Sequence, residues 1–490
     1  MPASTHRPLT VAALLLSMFM AAMEATVVAT AMPTVVAELG GIHLYGWVGA
    51  AYLLASTVSV PVYGRLADLY GRKRLLLFCI ALFLAGSMAS GLATSIVALV
   101  GFRALQGLGA GGLQPVTLTV VGDLYSLRER GKVQAYFGAI WGIAGISGPL
   151  LGGLIVRALS WRWVFFINLP FGLASAAVLL FAYREAPRQG RGRVDWAGAV
   201  ALTGSSVAIL LAASGVAPAA TAAAGLLLGA AFVALGRRAG EGALLPFTLL
   251  GQRAVALASV STALLGGAMM VSLTYVPLFV QGVLGGTPTA AGAVVAPMLV
   301  GWPLAATLTG RRLHASGFRA PVRLGAAVIA ASLAVFAWVV SARAGTFAMQ
   351  ATMFVFGAGM GVASTALMVG MQSSVGWGQR GVATATNMFA RTMGGALGVG
   401  ALGSLLAARL GDAVPPEAVA KLLGPERDRS ALAGVTGPAT EALAGGIVTV
   451  MWVLAAMGVL NALVCAFYPE PPRAPEGGGP AEPVAVPLGE

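Results

Sequence analysis

Apolar stretches long enough to cross a bilayer recur from one end of this chain to the other, and that recurrence constrains the fold more than any single motif. An α-helix rises 1.5 Å per residue, so about 20 residues span the hydrocarbon of a membrane. Such stretches are read at 10–36, 45–66, 75–93, 96–121, 133–156, 163–183, 196–214, 218–236, 255–281, 290–310, 322–342, 346–372, 381–408 and 442–467, fourteen in all. In lipid every backbone N–H and C=O must find its partner within the protein, and stretches of this length do so as helices. The expected class is all-α and integral to a membrane. Only 10% of the 490 residues are charged, against about 25% in soluble domains. That is too few to coat a water-facing surface, and a soluble enzyme is excluded.

The cations orient the spans. The chain carries 30 Lys and Arg against 17 Asp and Glu, and basic residues collect at the cytoplasmic ends of membrane helices. With the amino terminus inside, the cytoplasmic segments hold 21 of the 30; seven lie outside, and Arg103 and Arg391 lie within spans. Both termini are therefore expected in the cytoplasm, and the basic excess sets topology; it is no footprint for nucleic acid. Trp196–Leu235 decides between twelve spans and fourteen, being 40 residues without a charge, broken at Gly215-Val216-Ala217-Pro218 and bordered by arginines. Two helices joined by a tight outer turn fit it, and one helix is far too long. The first run continues past Val36 without a cleavage signal and is read as a span. A polar outer loop is expected over 409–441 and a disordered tail over 469–490. Cys79 and Cys465, both in apolar runs, can build neither a disulfide framework nor a metal set.

An internal repeat organises the spans. Gly64-Arg65, Gly71 and Lys73 recur 246 residues later as Gly310-Arg311, Gly317 and Arg319, and Gly148 and Gly152 recur at the same offset as Gly394 and Gly398. At an offset of 250, Gly107, Gly109 and Gly111 recur as Gly357, Gly359 and Gly361. Two six-helix halves, 1–183 and 255–468, with an inserted hairpin and its linkers at 184–254, account for both offset and span count. Parallel repeats that rock about a site near the membrane midplane are an architecture of secondary transporters.

Four segments carry a resemblance. Gly64-Arg-Leu-Ala-Asp-Leu-Tyr-Gly-Arg-Lys-Arg74 resembles the loop signature of the major facilitator superfamily. Met23-Glu-Ala-Thr-Val-Val-Ala-Thr-Ala-Met-Pro33 is similar to the first-helix motif of its fourteen-helix drug–proton antiporters. Phe102-Arg-Ala-Leu-Gln-Gly-Leu-Gly-Ala-Gly-Gly112 resembles their fourth-helix motif, and Gly142-Ile-Ala-Gly-Ile-Ser-Gly-Pro-Leu-Leu-Gly-Gly153 their fifth-helix antiporter motif. Trp161–Phe171 also looks typical of this branch, and the resemblance extends to Arg380–Gly403. Two departures stand out. The first-helix acid, often Asp in the branch, is Glu24, and His314 stands in the second-half loop where the first half has Asp68.

Each motif has a physical reading. Glu24 is the sole carboxylate within a predicted span. A charge is costly in hydrocarbon, so such a group holds either a proton or a cation. Arg103 keeps its charge and needs a carboxylate, carbonyls or water; it shares a helical face with Gln106 and Gln114. The resemblance implies proton coupling for Arg103, while Arg391 reads equally as coupling or structural. Asp68 and Arg72 stand four residues apart in the favourable acid-before-base order, Gly64 and Gly71 permit close approach and a tight turn, and Asp123 is placed to join Arg72 or Arg130. The resemblance implies that this group latches the cytoplasmic side. Gly145, Gly148, Pro149, Gly152 and Gly153 read as close helix packing with a bend at Pro149. Met23, Gln106, Gln114, Met270, Tyr275, Met360 and Phe389 are candidates for an adaptable substrate cavity.

The expected function is proton-driven export of amphiphilic, often cationic compounds, by a monomer in the cell membrane whose partners are small substrates, protons and lipid. No cofactor is expected, the proton gradient being the energy source, and no metal. Export of one endogenous metabolite or lipid is the alternative within transport. The three histidines form no His-Glu-x-x-His set and there is no Walker-type phosphate loop, so an intramembrane enzyme or ATP-driven pump has nothing to stand on. A non-transporting sensor leaves Glu24 and Arg103 without a purpose.

Overall fold

The structure, a computed structural model, describes residues 5–39, 45–125, 127–185, 195–213, 217–240, 243–244, 247–286, 288–376, 379–410 and 438–470. The core of the expected outer loop and the tail beyond residue 470 therefore lie outside the described residues. Regular structure among those described is helical throughout. The first half comprises α1 (Arg7–Leu39), α2 (Tyr45–Tyr70), α3 (Arg72–Gly91), α4 (Ile96–Leu124), α5 (Leu127–Ala158), the single turn α6 (Trp163–Phe166) and α7 (Asn168–Ala182). The pair α8 (Trp196–Ala213) and α9 (Pro218–Ala239) follows, then the short α10 (Phe247–Leu250). The second half comprises α11 (Arg253–Gly282), α12 (Pro288–Ser316), α13 (Arg319–Ser341), α14 (Thr346–Ser374), α15 (Arg380–Leu410) and α16 (Pro438–Ala466).

Twelve helices among the described residues are long and apolar enough to cross a membrane. The other two of the expected fourteen, α5 and α15, are 32 and 31 residues long and only partly described, so the count of twelve does not test them. α5 packs on α12, and α15 on α2 and α4, so these two helices form the seam between halves.

The repeated glycines pack alike in the two halves. A Cβ at Gly107 would strike the Tyr52 carbonyl on α2, and one at Gly109 the backbone of Phe83 on α3. At the matching places a Cβ on Gly357 would strike the Met298 carbonyl on α12, and one on Gly359 would crowd Ile329 on α13, 2.9 Å from its side chain and 3.1 Å from its backbone N. At Gly107, Gly109 and Gly357 glycine is required because backbones, not side chains, meet there. The spacing read from sequence is thus one packing scheme used twice.

The inserted pair holds together through α8 on α9, with Ser205 Oγ donating to the Gly225 carbonyl at 2.8 Å. α8 touches both α2 and α15, and Ser404 Oγ on α15 donates to the Ala213 carbonyl at 3.0 Å. The pair therefore sits beside the seam, in contact with both halves.

Candidate functional site

Glu24 lies near the middle of α1 and is 1% exposed; Arg103, on α4, is 2% exposed. Arg103 Nη1 donates to Glu24 Oε1 and, at 2.6 Å, to Gln106 Oε1. Its Nε reaches the Val48 carbonyl at 3.3 Å, and its guanidinium stands 4.3 Å from the centre of the Tyr52 ring. The other carboxylate oxygen accepts from Asn168 Nδ2 at 2.5 Å. Asn168 also donates to Ser87 Oγ at 3.0 Å, and that hydroxyl donates onward to the Phe165 carbonyl at 2.8 Å. Arg103 and Gln106 meet because residues three apart share a helix face. A buried ion pair survives only where further hydrogen bonds serve the remaining lone pairs and donors, and here each partner has them. Glu24 is consequently engaged by Arg103, and a cationic ligand would have to compete with that guanidinium.

A second cluster ties the halves together where α2 ends and α15 begins. Asp68, on α2, accepts from the backbone N–H of Gly381 at 3.3 Å and of Val382 at 2.8 Å. The first N–H groups of a helix have no partner within it, and the helix dipole favours a negative charge there. Asp68 thus caps α15 from the other half of the molecule. Arg72 Nη2 meets Asp68 at 3.2 Å and Arg72 Nε meets Asp123 at 3.1 Å, while Arg380 Nη1 lies 3.8 Å from Asp123. A Cβ at Gly64 would strike Ala385 on α15, so Gly64 sets how closely the seam can shut. Gly71 turns the chain between α2 and α3 with φ +96°.

Beside that turn Glu185, just beyond α7, accepts from the backbone N–H groups of Arg72 at 2.7 Å and Lys73 at 3.1 Å. In the second half Glu470, just beyond α16, accepts likewise from Phe318 at 2.8 Å and Arg319 at 2.9 Å. Gly317, the repeat of Gly71, also has positive φ, at +72°. Each half therefore ends by capping its own third long helix. Neither glutamate, nor Asn168, was singled out from sequence. For the glutamates the available signal was the matched Tyr183-Arg-Glu185 and Tyr468-Pro-Glu470.

The remaining candidates scatter. Gln114 and Phe389 are half-buried and Met270 is 40% exposed, whereas Met23 and Met360 are buried in the core. Tyr275 is committed to structure, its hydroxyl donating to the Val399 carbonyl at 2.8 Å. In α5 a Cβ at Gly138 would come within 2.9 Å of Pro303 Cβ on α12, but Gly142 and Gly153 face open space. Gly153 is thus not a packing glycine. Gly148 and Gly152 are buried; the surroundings of Gly145 and Pro149 lie outside what is described, and the helix runs unbroken through both. Arg391 rests beside Met269 Sδ, at 3.3 Å, with its guanidinium 4.5 Å from the centre of the Trp302 ring. His314 is in α12, its side chain outside the described set. No group of three or more His, Cys, Asp or Glu among the described residues is placed to hold a metal.

Some known proteins are similar to this chain in sequence, and others in fold. Multidrug resistance protein 3 of Bacillus subtilis is 33% identical over 80% of this chain and 78% of its own length. Multidrug transporter protein MdtP of the same organism is 33% identical over 83% of this chain and 77% of its own. Efflux pump dotC of Dothistroma septosporum is 30% identical over 87% and 80%. Among solved structures, the proton:xylose symporter XylE superposes with a TM-score of 0.65 at 14% identity, covering 95% of this chain and 96% of that one. The human organic anion transporter MFSD10 gives a TM-score of 0.62 at 15% identity, covering 94% of this chain and 100% of that one. These two show the fold alone. The sequence model described as Major Facilitator Superfamily matches residues 14–399, and the chain belongs to that superfamily of multi-pass membrane transporters.

Proposed function

We propose that this transporter is an exporter of amphiphilic drugs or toxic compounds, driven by exchange for protons across the cell membrane. The buried Glu24–Arg103 pair carries the reading, since it sets a carboxylate that can take up a proton against a permanent cation inside the membrane-spanning bundle. Arg103 stays charged under any physiological condition, so a proton arriving at Glu24 cancels the attraction and leaves Arg103 on Gln106, Val48 and the Tyr52 ring. Loss of that attraction frees α1 relative to α4. The names of the multidrug relatives support the substrate class.

The Asp68–α15 contact supports alternating access. It joins the halves at the arginine-rich end, which the distribution of cations assigns to the cytoplasm, and a seam closed there leaves the site to be reached from outside. Proton uptake would occur in that state and proton release after the seam opens. Exchange of one proton for one monovalent cation moves no net charge and draws only on the pH gradient, about 1.36 kcal/mol per unit.

The test is uptake of ethidium into proteoliposomes under an imposed pH gradient, with and without an uncoupler. Wild-type protein should accumulate the dye and lose it on uncoupling, while Glu24→Gln, which fixes the uncharged form, should show no gradient-driven accumulation. Accumulation by Glu24→Gln at the wild-type rate would remove Glu24 from the coupling.

A further inference from the structure

The two halves differ in charge where they face each other. Glu24 and Arg103 neutralise one another in the first half. Their counterparts 246 and 250 residues on are Met270 and Met353, so the second half repeats neither. It presents Arg391 instead. Arg391 sits 11 residues into α15, about 16 Å from its start at 1.5 Å per residue, which is membrane depth.

Its direction follows from its contacts. α11 packs on both α12 and α15, and these two are the helices that pack across the seam on α5 and α2. The Arg391 side chain reaches from α15 past Met269 on α11 to Trp302 on α12. It therefore lies across the face that the second half turns toward the first. Its root is fixed, because a Cβ on Gly266 of α11 would strike the Arg391 carbonyl, and yet the residue is only partly buried.

Among the described residues Arg391 has a thioether and an aromatic face as neighbours, and no carboxylate. Both are soft partners: the thioether takes one weak N–H donation, the indole face takes none, and the remaining N–H donors of the fork are left for a stronger acceptor. A guanidinium held on an indole presents those donors edge-on, in the geometry that takes a carboxylate with two parallel hydrogen bonds.

We propose that Arg391 is a binding site for the carboxylate of aromatic, carboxylate-bearing amphiphiles, with their apolar bodies against Trp302, Met269 and the partly exposed Met270. The proposal rests on the transport reading for its physiological role, but the site itself is a matter of binding. It also changes the energetics of exchange. A monoanion leaving against one entering proton moves two charges inward, so its export responds to membrane potential, whereas that of a monovalent cation does not.

The test measures binding of three probes to purified full-length protein in detergent by equilibrium dialysis: norfloxacin, an aromatic zwitterion bearing a carboxylate; its ethyl ester; and the tetraphenylphosphonium cation. Wild type should bind norfloxacin more tightly than the ester. Arg391→Gln should weaken norfloxacin by about tenfold or more, the loss of one charge-assisted pair. The same change should leave the ester within about threefold and strengthen tetraphenylphosphonium, since a positive charge has gone. Arg391→Lys should keep the order of affinities with part of the norfloxacin loss. These opposite signs separate a binding role from a structural one, which would weaken all three together. Equal wild-type affinity for acid and ester, or parallel losses in Arg391→Gln, overturns the proposal. Proteoliposome uptake of the same probes distinguishes the two readings: binding of norfloxacin that depends on Arg391, without transport of any probe, upholds the site and overturns the exporter.

Discussion

Replacing Asp68 by Asn keeps the shape of the side chain and removes the charge that holds the seam. In the structure both carboxylate oxygens accept from the first turn of α15, Gly381 at 3.3 Å and Val382 at 2.8 Å, and Oδ1 also meets Arg72 at 3.2 Å. An amide offers one acceptor, so one backbone donor loses its partner and an NH₂ group is set against a donor. A charge at a helix N-terminus is worth about 0.3–1 kcal/mol when exposed and up to ~2 when partly buried. A hydrogen bond to a charged group contributes about 1.5–3 kcal/mol, against about 1 for a neutral one. Together the substitution should weaken the closed seam by about 2–3 kcal/mol, roughly a 30- to 150-fold shift toward its open form. Spin labels at Tyr70 and Gln379, both exposed beside the contact, report this opening as a distance measured by double electron–electron resonance in nanodiscs. Asp68→Asn should insert and fold as wild type does, lengthen the label distance and transport poorly. A wild-type distance distribution in the folded variant would refute the assignment of Asp68 to the seam.

Two further substitutions test the packing. Gly357→Ala should destabilise the protein by about 1–3 kcal/mol, because the new methyl meets the Met298 backbone, whereas Gly142→Ala, facing open space, should be neutral or slightly stabilising; thermal unfolding in detergent separates them. Glu38, beyond the predicted first span, accepts from Arg162 Nη1 at 2.5 Å and Trp161 Nε1 at 2.8 Å, and these hydrogen bonds hold its carboxyl below the usual carboxylate range. Since the native value is depressed, the contact contributes stability above the unfolded value, near 4.3, and loses it as pH falls through the native one. Trp161 fluorescence should therefore be flat from pH 8 to about 5 and change only under more acidic conditions, and a transition centred at pH 6–7 that disappears in Glu38→Gln would contradict this.

The architecture was legible because membrane burial writes itself into long uncharged runs and because a repeated backbone contact demands the same glycine twice. Gly107 and Gly357 could be matched in sequence for the reason that they pack alike. At the site, Glu24 and Arg103 could be found singly, because a charge in a span is conspicuous, but not as a pair, since nothing in a separation of 79 residues marks the contact. Asn168 lies within Trp161–Phe171 with nothing in the sequence to mark it. A lone amide has no charge to betray it, and its importance comes wholly from the carboxylate it meets. The glutamates that cap α3 and α13 were invisible for a related reason: backbone N–H groups are their partners, and every residue has one.

The proposed proton site and the seam share one helix, α4. α4 carries Arg103 near one end and Asp123 near the other, 20 residues apart, about 30 Å along the axis. Arg103 holds Glu24; Asp123 holds Arg72 and lies near Arg380. A shift of α4 that follows release of Arg103 must act on the Asp123 contacts, softened only by Pro115, which interrupts the hydrogen-bond ladder between the two sites. The energetic effects of Glu24→Gln and Asp123→Asn on seam opening should therefore not add. With the Tyr70–Gln379 labels as readout, each single variant should raise the open population, and the double variant should raise it by less than the product, with an interaction energy of about 1 kcal/mol or more. Sites this far apart with no coupling add to within about 0.3–0.5 kcal/mol. Additivity at that level would mean that the proton reaches the seam by another path than α4, with α1 or α7 next to be tested through Glu24 and Asn168.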